Sequence, residues 1–299
     1  MGSYVAALVL SAIALVLAGL SVAAAAHTET ASQAEPLGWT LTLALLLGAS
    51  ALLYAAGVRR LWRRAGRWRG VRAAHILRFV LGWSVLAGAL FSPMDALADR
   101  SFALHMLQHE LLMLVAAPLL VLARPLEAWT WALAPRARRG VVVLAHARPL
   151  VRAWHAITGQ PGAWCLHAAA VWIWHVPALF VAALADASLH VLQHTCFLAT
   201  ALLFWWSIFR PRAGSHTAGA MASVFTTMLH TSALGALLTL AAHPSYVAAV
   251  QPMMFGLTPL EDQQLGGLIM WVPGSVAYLV AGLVIVAGWL APPRARHVA

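Results

Sequence analysis

Lysine is absent from this chain of 299 residues; all 19 basic residues are arginine. Charge of either sign is scarce, at 9% of residues against roughly 25% in a soluble domain. Two cysteines, Cys165 and Cys196, are too few for a disulfide framework. Each falls inside an apolar segment, where a thiol acts as a small hydrophobe. What is plentiful is apolar side chain, at 62% of the chain. Together these features exclude an ordinary soluble enzyme and mark an integral membrane protein. The formal net charge of +10 does not point to nucleic acid. The arginines cluster between apolar segments, as topology signals and contacts to anionic lipid. The bilayer is therefore the expected partner and nucleic acid is not.

About 20 apolar residues cross a bilayer core. By that length seven spans are expected, at 39–58, 74–91, 102–123, 162–184, 188–209, 218–241 and 266–290. An earlier apolar stretch, 5–26, ends in four alanines that a signal peptidase can cut, yet it lacks a basic leading segment. A cleaved signal and a retained helix fit it equally well. The arginines then orient the chain. Arg59 to Arg78, Arg124 to Arg152, Arg210 and Arg212, and Arg294 and Arg296 fall on one side, the cytoplasm; only Arg100 falls on the other. Glu29, Glu35, Asp95, Asp99, Asp186, Glu261 and Asp262 lie outside. The expected fold is all-α, a polytopic transmembrane helical bundle of seven core spans plus an N-terminal signal or extra helix. Residues 1–38 form the leading segment and 39–299 the membrane domain, with a cytoplasmic C-terminus. Pro118 and Pro273 should kink their spans. The long connection at 124–160 should carry a short amphipathic helix.

One hexad occurs twice. Leu104-His105-Met106-Leu107-Gln108-His109 is echoed by Leu189-His190-Val191-Leu192-Gln193-His194. Each copy puts two imidazoles one helical turn apart on one face. Ala96-Leu97-Ala98-Asp99 precedes the first copy and Ala183-Leu184-Ala185-Asp186 the second, so Asp99 and Asp186 are expected to be helix caps. At 1.5 Å per residue, all four histidines lie roughly 5–10 Å below the outer edge, with His175 at about 13 Å and His230 at about 16 Å. Six histidines from four spans thus share the outer half of the bundle. His167 lies in the inner half and is expected to pack.

An i, i+4 pair chelates one metal, and neutral imidazole is the commonest protein ligand. Interhelical hydrogen bonding is the alternative, favoured for His175 or His230 taken singly. For the doubled pair, a metal site is the better reading. Met113 continues the stripe of His105 and His109, and imidazole with thioether suits copper better than zinc. Glu110 is a charged residue within a span and, with Met113 and Asp262, a candidate supporting group behind the ligands. Cys196 should face away from His194. The segment from Glu261 to Gly267 offers a polar mouth over the histidines, although capping alone explains Asp262; its paired glycines allow close helix packing.

The order of these motifs resembles the CtaG-type assembly factors of caa3-type cytochrome c oxidases. It rests on His105 to His109 running into Leu111-Leu112-Met113 and Ala117-Pro118-Leu119-Leu120. It continues through Trp172-Ile173-Trp174-His175-Val176-Pro177, His190 to His194, Phe204-Trp205-Trp206 and Asp262 to Trp271. The likeness covers roughly residues 40 to 290. It implies a multi-pass protein of the bacterial plasma membrane, not an enzyme, that helps mature the oxidase at its copper centres. Oxidase subunits are the implied partners, with a periplasmic copper donor upstream. The family's motif histidines map onto His105, His109, His175, His190 and His194; copper on them is inferred from the donor set. Two other functions remain open here. One is a b-type haem protein, and the other is a membrane zinc hydrolase with Glu110 or Asp262 as base. A cut after Ala26 would also leave His27 beside a free amine, a copper chelate in its own right.

Overall fold

The structure, a computed structural model, describes residues 35–91, 93–209, 216–246 and 254–290. The signal-or-helix alternative at 5–26, His27, Arg210, Arg212, Arg294 and Arg296 lie outside the described residues. Those that are described form helices and turns, with no strand among them. Six helices are long and apolar enough to cross a membrane. A seventh candidate is a helix pair bent by 76°. Large apolar side chains stand exposed along the outer helices, Leu45 and Leu52 among them. That is what lipid-facing surfaces require and soluble surfaces avoid.

Helix α1 (Glu35–Ala65) runs on into the first arginine cluster and is followed by α2 (Ala73–Phe91) and the short α3 (Pro93–Ala98). The third span starts with α4 (Phe102–Glu110), widens into a π-helical segment at Leu111–Ala116 and ends in α5 (Ala117–Ala123). The expected disturbance at Pro118 takes this form. The Ala117 N–H bonds the Leu112 carbonyl, five residues back. The corresponding donor for the Met113 carbonyl would be Pro118, which has no N–H. The indole of Trp205 donates to that carbonyl instead, at 2.8 Å. Trp205 thus repairs the helix from a different span.

The 124–160 connection holds three helices rather than one: α6 (Pro125–Ala132), α7 (Pro135–Ala145) and α8 (Arg148–Thr158). Helix α6 packs along α1. Its Trp129 indole donates to the Ser50 carbonyl at 2.9 Å, and Arg60 donates to the Ala132 carbonyl.

The expected fourth span is not one continuous helix. It breaks between α9 (Gln160–Trp174) and α10 (Pro177–Ala185). Proline disfavours helical backbone at the residue before it, and Val176 is extended, with φ −64° and ψ 123°. Non-helical backbone is tolerated at membrane depth only where its polar groups find partners. Here the Tyr246 hydroxyl donates to the His175 carbonyl at 2.6 Å. Burial pushes the Tyr246 hydroxyl up to about 12, so it remains a donor at any physiological pH.

Helices α11 (Ala187–Phe209), α12 (His216–Thr239) and α13 (Pro259–Leu290) complete the bundle. Pro273 lies inside α13, which runs on to Leu290. The paired glycines at its start face two different neighbours. A Cβ on Gly266 would come within 2.5 Å of the Phe102 ring on α4. One on Gly267 would come within 2.7 Å of the Gly235 carbonyl on α12. Only glycine permits both approaches.

Candidate metal centre

Two helix N-termini set the site. In α4 the N-cap is Ser101, not Asp99: the Ser101 hydroxyl accepts the Leu104 N–H at 3.3 Å. In α11 it is Asp186, whose carboxylate accepts the Leu189 N–H at 2.9 Å. In each helix the first histidine of the hexad follows the cap by four residues. The His105 N–H donates to the Ser101 carbonyl at 3.0 Å, and the His190 N–H to the Asp186 carbonyl at 2.9 Å. The two hexads therefore start at the same turn of their helices, and the caps hold them in register.

That register brings the imidazoles together in two layers. In the outer layer, the His105 and His190 rings stack at 5.3 Å between centroids, 21° from parallel. One turn deeper, His109 and His194 meet edge to face at 5.1 Å. Within each helix the paired rings are 4.4 Å apart. One nitrogen from each of His105, His109 and His194 falls within 4.8 Å of the others. Phe180 and Phe197 wall the cluster, at 5.0 Å from His105 and 4.5 Å from His109.

His175 approaches from the break in the fourth span, 6.3 Å from His109. Its Nδ1 lies 2.6 Å from the Val171 carbonyl. A carbonyl only accepts, so Nδ1 carries the proton and the lone pair is on Nε2. This is the arrangement in which a backbone acceptor fixes the tautomer of a ligating histidine.

The donor atoms are hidden and unused. Both ring nitrogens of His105 and His109, and Nε2 of His175, His190 and His194, are shielded from solvent without a hydrogen-bond partner. The Ala98 carbonyl and the Gln193 side chain lie close to His105 without forming a hydrogen bond of normal geometry. A buried polar group left unmatched costs about 1–3 kcal/mol, and so many in one place call for a shared partner. A metal fits. Imidazole–metal bonds of about 2 Å bring neighbouring donors to roughly 3.3–3.5 Å, which small side-chain rotations achieve from the present spacing.

The other expected residues are distributed differently. His230 does not join the cluster. Helix α12 packs on α9 and α13, and His230 accepts the Trp172 indole N–H at 3.3 Å with Trp164 edge-on to its ring. Interhelical hydrogen bonding accounts for its Nδ1, while its Nε2 is buried without a partner. Glu110 turns to α13, where its carboxylate lies 3.1 Å from the position of a Cβ on Gly274. Met113 is buried in the apolar core below the cluster. Asp262 touches no imidazole. Its carboxylate accepts from the Ser101 hydroxyl at 2.7 Å, the Phe102 N–H at 2.6 Å and the Ala103 N–H at 3.3 Å. It caps, from across the bundle, the helix that carries His105 and His109. His167 packs on Phe204 and meets the Thr200 hydroxyl at 3.2 Å.

Sequence reasoning missed the two glutamines of the hexads. Gln108 donates to the Ala89 carbonyl at 2.8 Å and to Asp95 at 2.7 Å, tying α4 to α2 and α3. Their place inside the repeated hexad was the available signal. Asp95 and Asp99 lie within electrostatic reach of His190, which makes the outer approach acidic. Burial raises the Asp95 carboxyl above its usual range, against the lowering effects of the Gln108 hydrogen bond and of His190.

The family model of the cytochrome c oxidase caa3 assembly factors matches residues 52–291. The chain belongs to this family. The matched stretch includes every histidine of the cluster and both hexads. No curated protein and no solved structure matches the chain. Family membership makes this a membrane-embedded assembly factor of cytochrome c oxidase.

Proposed function

We propose that this assembly factor carries copper as cargo on its imidazole cluster and hands it to an oxidase subunit within the membrane. The observation that carries the reading is the trio of His105, His109 and His194, whose nitrogens lie within 4.8 Å of one another and are buried without partners. His190 extends the site toward the acidic approach at Asp95 and Asp99, and His175 extends it inward. All-imidazole donors without carboxylate or thiolate suit copper better than calcium, magnesium or an iron–sulfur cluster. The process needs only ligand exchange: one imidazole takes hold as another releases. Adjacent rings 4.4–5.7 Å apart support stepwise movement of that kind. They also leave no plane between them for a porphyrin, which counts against haem.

The reading also assigns the cluster to the periplasmic half of the bacterial inner membrane, since the arginine-rich connections lie at the opposite end. The test is metal analysis of protein purified in mild detergent after equilibration with Cu(I). Wild type should retain copper, while His109→Ala/His194→Ala should lose most of it and His230→Ala should keep it. Oxidase made in cells carrying the double variant should be copper-deficient to a matching degree. Unchanged copper in both the purified variant and the oxidase would refute the proposal. A Soret band in the wild-type protein would favour haem, and a chelator-sensitive hydrolytic activity would favour zinc.

A further inference from the structure

Apart from the histidine cluster, α1 and α2 part from each other and leave a groove of about 760 Å³. The two helices are joined by a tight turn at 66–72, with positive φ at Gly66, Trp68 and Gly70. Above that turn they make few contacts. The floor of the groove is the stacked pair of Tyr54 and Phe79, with ring centroids 3.7 Å apart. Trp62 and Trp83 lie along it. Both indoles spend their N–H inward, Trp62 on the Val71 carbonyl at 3.0 Å and Trp83 on the Leu47 carbonyl at 3.2 Å. The faces they present to the groove are therefore apolar.

One end of the groove is strongly basic. Arg59, Arg63 and Arg67 line it and all three are exposed. Among the described residues no carboxylate pairs with them. Arg59 and Arg63 are one turn apart on the same face of α1, and the Arg67 guanidinium lies 5.0 Å from the Trp68 ring. From Ala51 to Arg63 the helix rises about 18 Å. One leaflet of a hydrocarbon core is about 15 Å thick. The groove thus has the depth of a single leaflet, with cationic groups where headgroups lie.

We propose that this groove is a binding site for an anionic phospholipid, whose phosphate is held by Arg59, Arg63 and Arg67 and whose acyl chain lies on Tyr54, Phe79 and Trp83. Charge complementarity chooses the headgroup, because guanidinium groups bind phosphate oxygens through paired N–H donors. The site is independent of copper handling, and serves to anchor the first two spans at a fixed depth in one leaflet.

Native mass spectrometry of the delipidated full chain tests it, with dioleoylphosphatidylglycerol and dioleoylphosphatidylcholine as probes. Wild type should prefer the anionic lipid by about tenfold or more. Arg59→Gln/Arg63→Gln/Arg67→Gln should abolish the preference. Val80→Trp, which fills the groove from α2, should weaken both lipids. Water-soluble glycerol phosphate should not compete. A photo-crosslinker at Val80 should capture lipid in membranes. Equal binding of the two lipids by wild type, a preference that survives the triple substitution, an unaffected Val80→Trp, full competition by glycerol phosphate, or capture of a protein helix at Val80 would each overturn the assignment.

Discussion

Asp262 on α13 accepts the backbone N–H of Phe102 on α4 at 2.6 Å. The first free donors of the helix that carries His105 and His109 are thus satisfied by a carboxylate from the last span. Ser101 completes the cap. The height of α4 in the bundle, and with it the height of the two imidazoles, is therefore set by α13.

Asp262→Ala should remove three hydrogen bonds and leave buried N–H groups unmatched. The expected loss is about 2–3 kcal/mol, seen as a lower midpoint in thermal unfolding in detergent. Asp262→Asn keeps one acceptor oxygen and should lose less. Copper retention should fall in Asp262→Ala although no ligand has been touched. Retention equal to wild type would mean that the cap does not position the histidines.

Gly267→Ala brings a methyl group to within 2.6 Å of the Thr239 N–H nitrogen and 2.7 Å of the Gly235 carbonyl. Backbone cannot yield as a flexible side chain does, so α12 and α13 must separate. The destabilisation should be about 2 kcal/mol. Gly288→Ala, on the same helix but with nothing within 4 Å of its Cβ, should unfold like wild type in the same assay.

Trp205→Phe keeps most of the ring volume and deletes the donor to the Met113 carbonyl. That carbonyl then has no partner at the π-helical segment. A loss of about 1–2 kcal/mol is expected. Hydrogen exchange should accelerate at Ala117 before it does in α13.

Tyr246→Phe removes the donor to the His175 carbonyl and should cost about 1–2 kcal/mol at neutral pH. The cost is pH-dependent in a defined direction. The folded hydroxyl titrates near 12, the unfolded one near about 10. The tyrosine's contribution is therefore complete below pH 10 and is lost as pH rises from 10 toward 12. Unfolding midpoints of wild type and variant should converge in that window; a gap that widens there would contradict the assignment.

The spans and the hexads were legible in the sequence because hydrophobic length and the 3.6-residue period are one-dimensional signals. The third span, at 102–123, matches the structure end to end. Depth alone misplaced His230, because the direction a ring faces depends on which helices α12 packs against. The break at His175 was signalled by Pro177, but its angle depends on Tyr246 reaching the freed carbonyl from far along the chain. Asp99 resembled Asp186 in its surrounding letters, yet only Ser101 stands four residues before His105. The three helices at 124–160 were understated because α6 gains its place from contact with α1 rather than from its own pattern.

The neighbouring glycines of α13 have a mechanical consequence. Gly266 seats Phe102 of α4 and Gly267 seats Gly235 of α12, on faces about 100° apart. Any roll of α13 that loosens one seam tightens the other. The helix that bears His105 and His109 and α12 are thus both seated on one helix, so a rotation of α13 would shift both neighbours together without touching either ring.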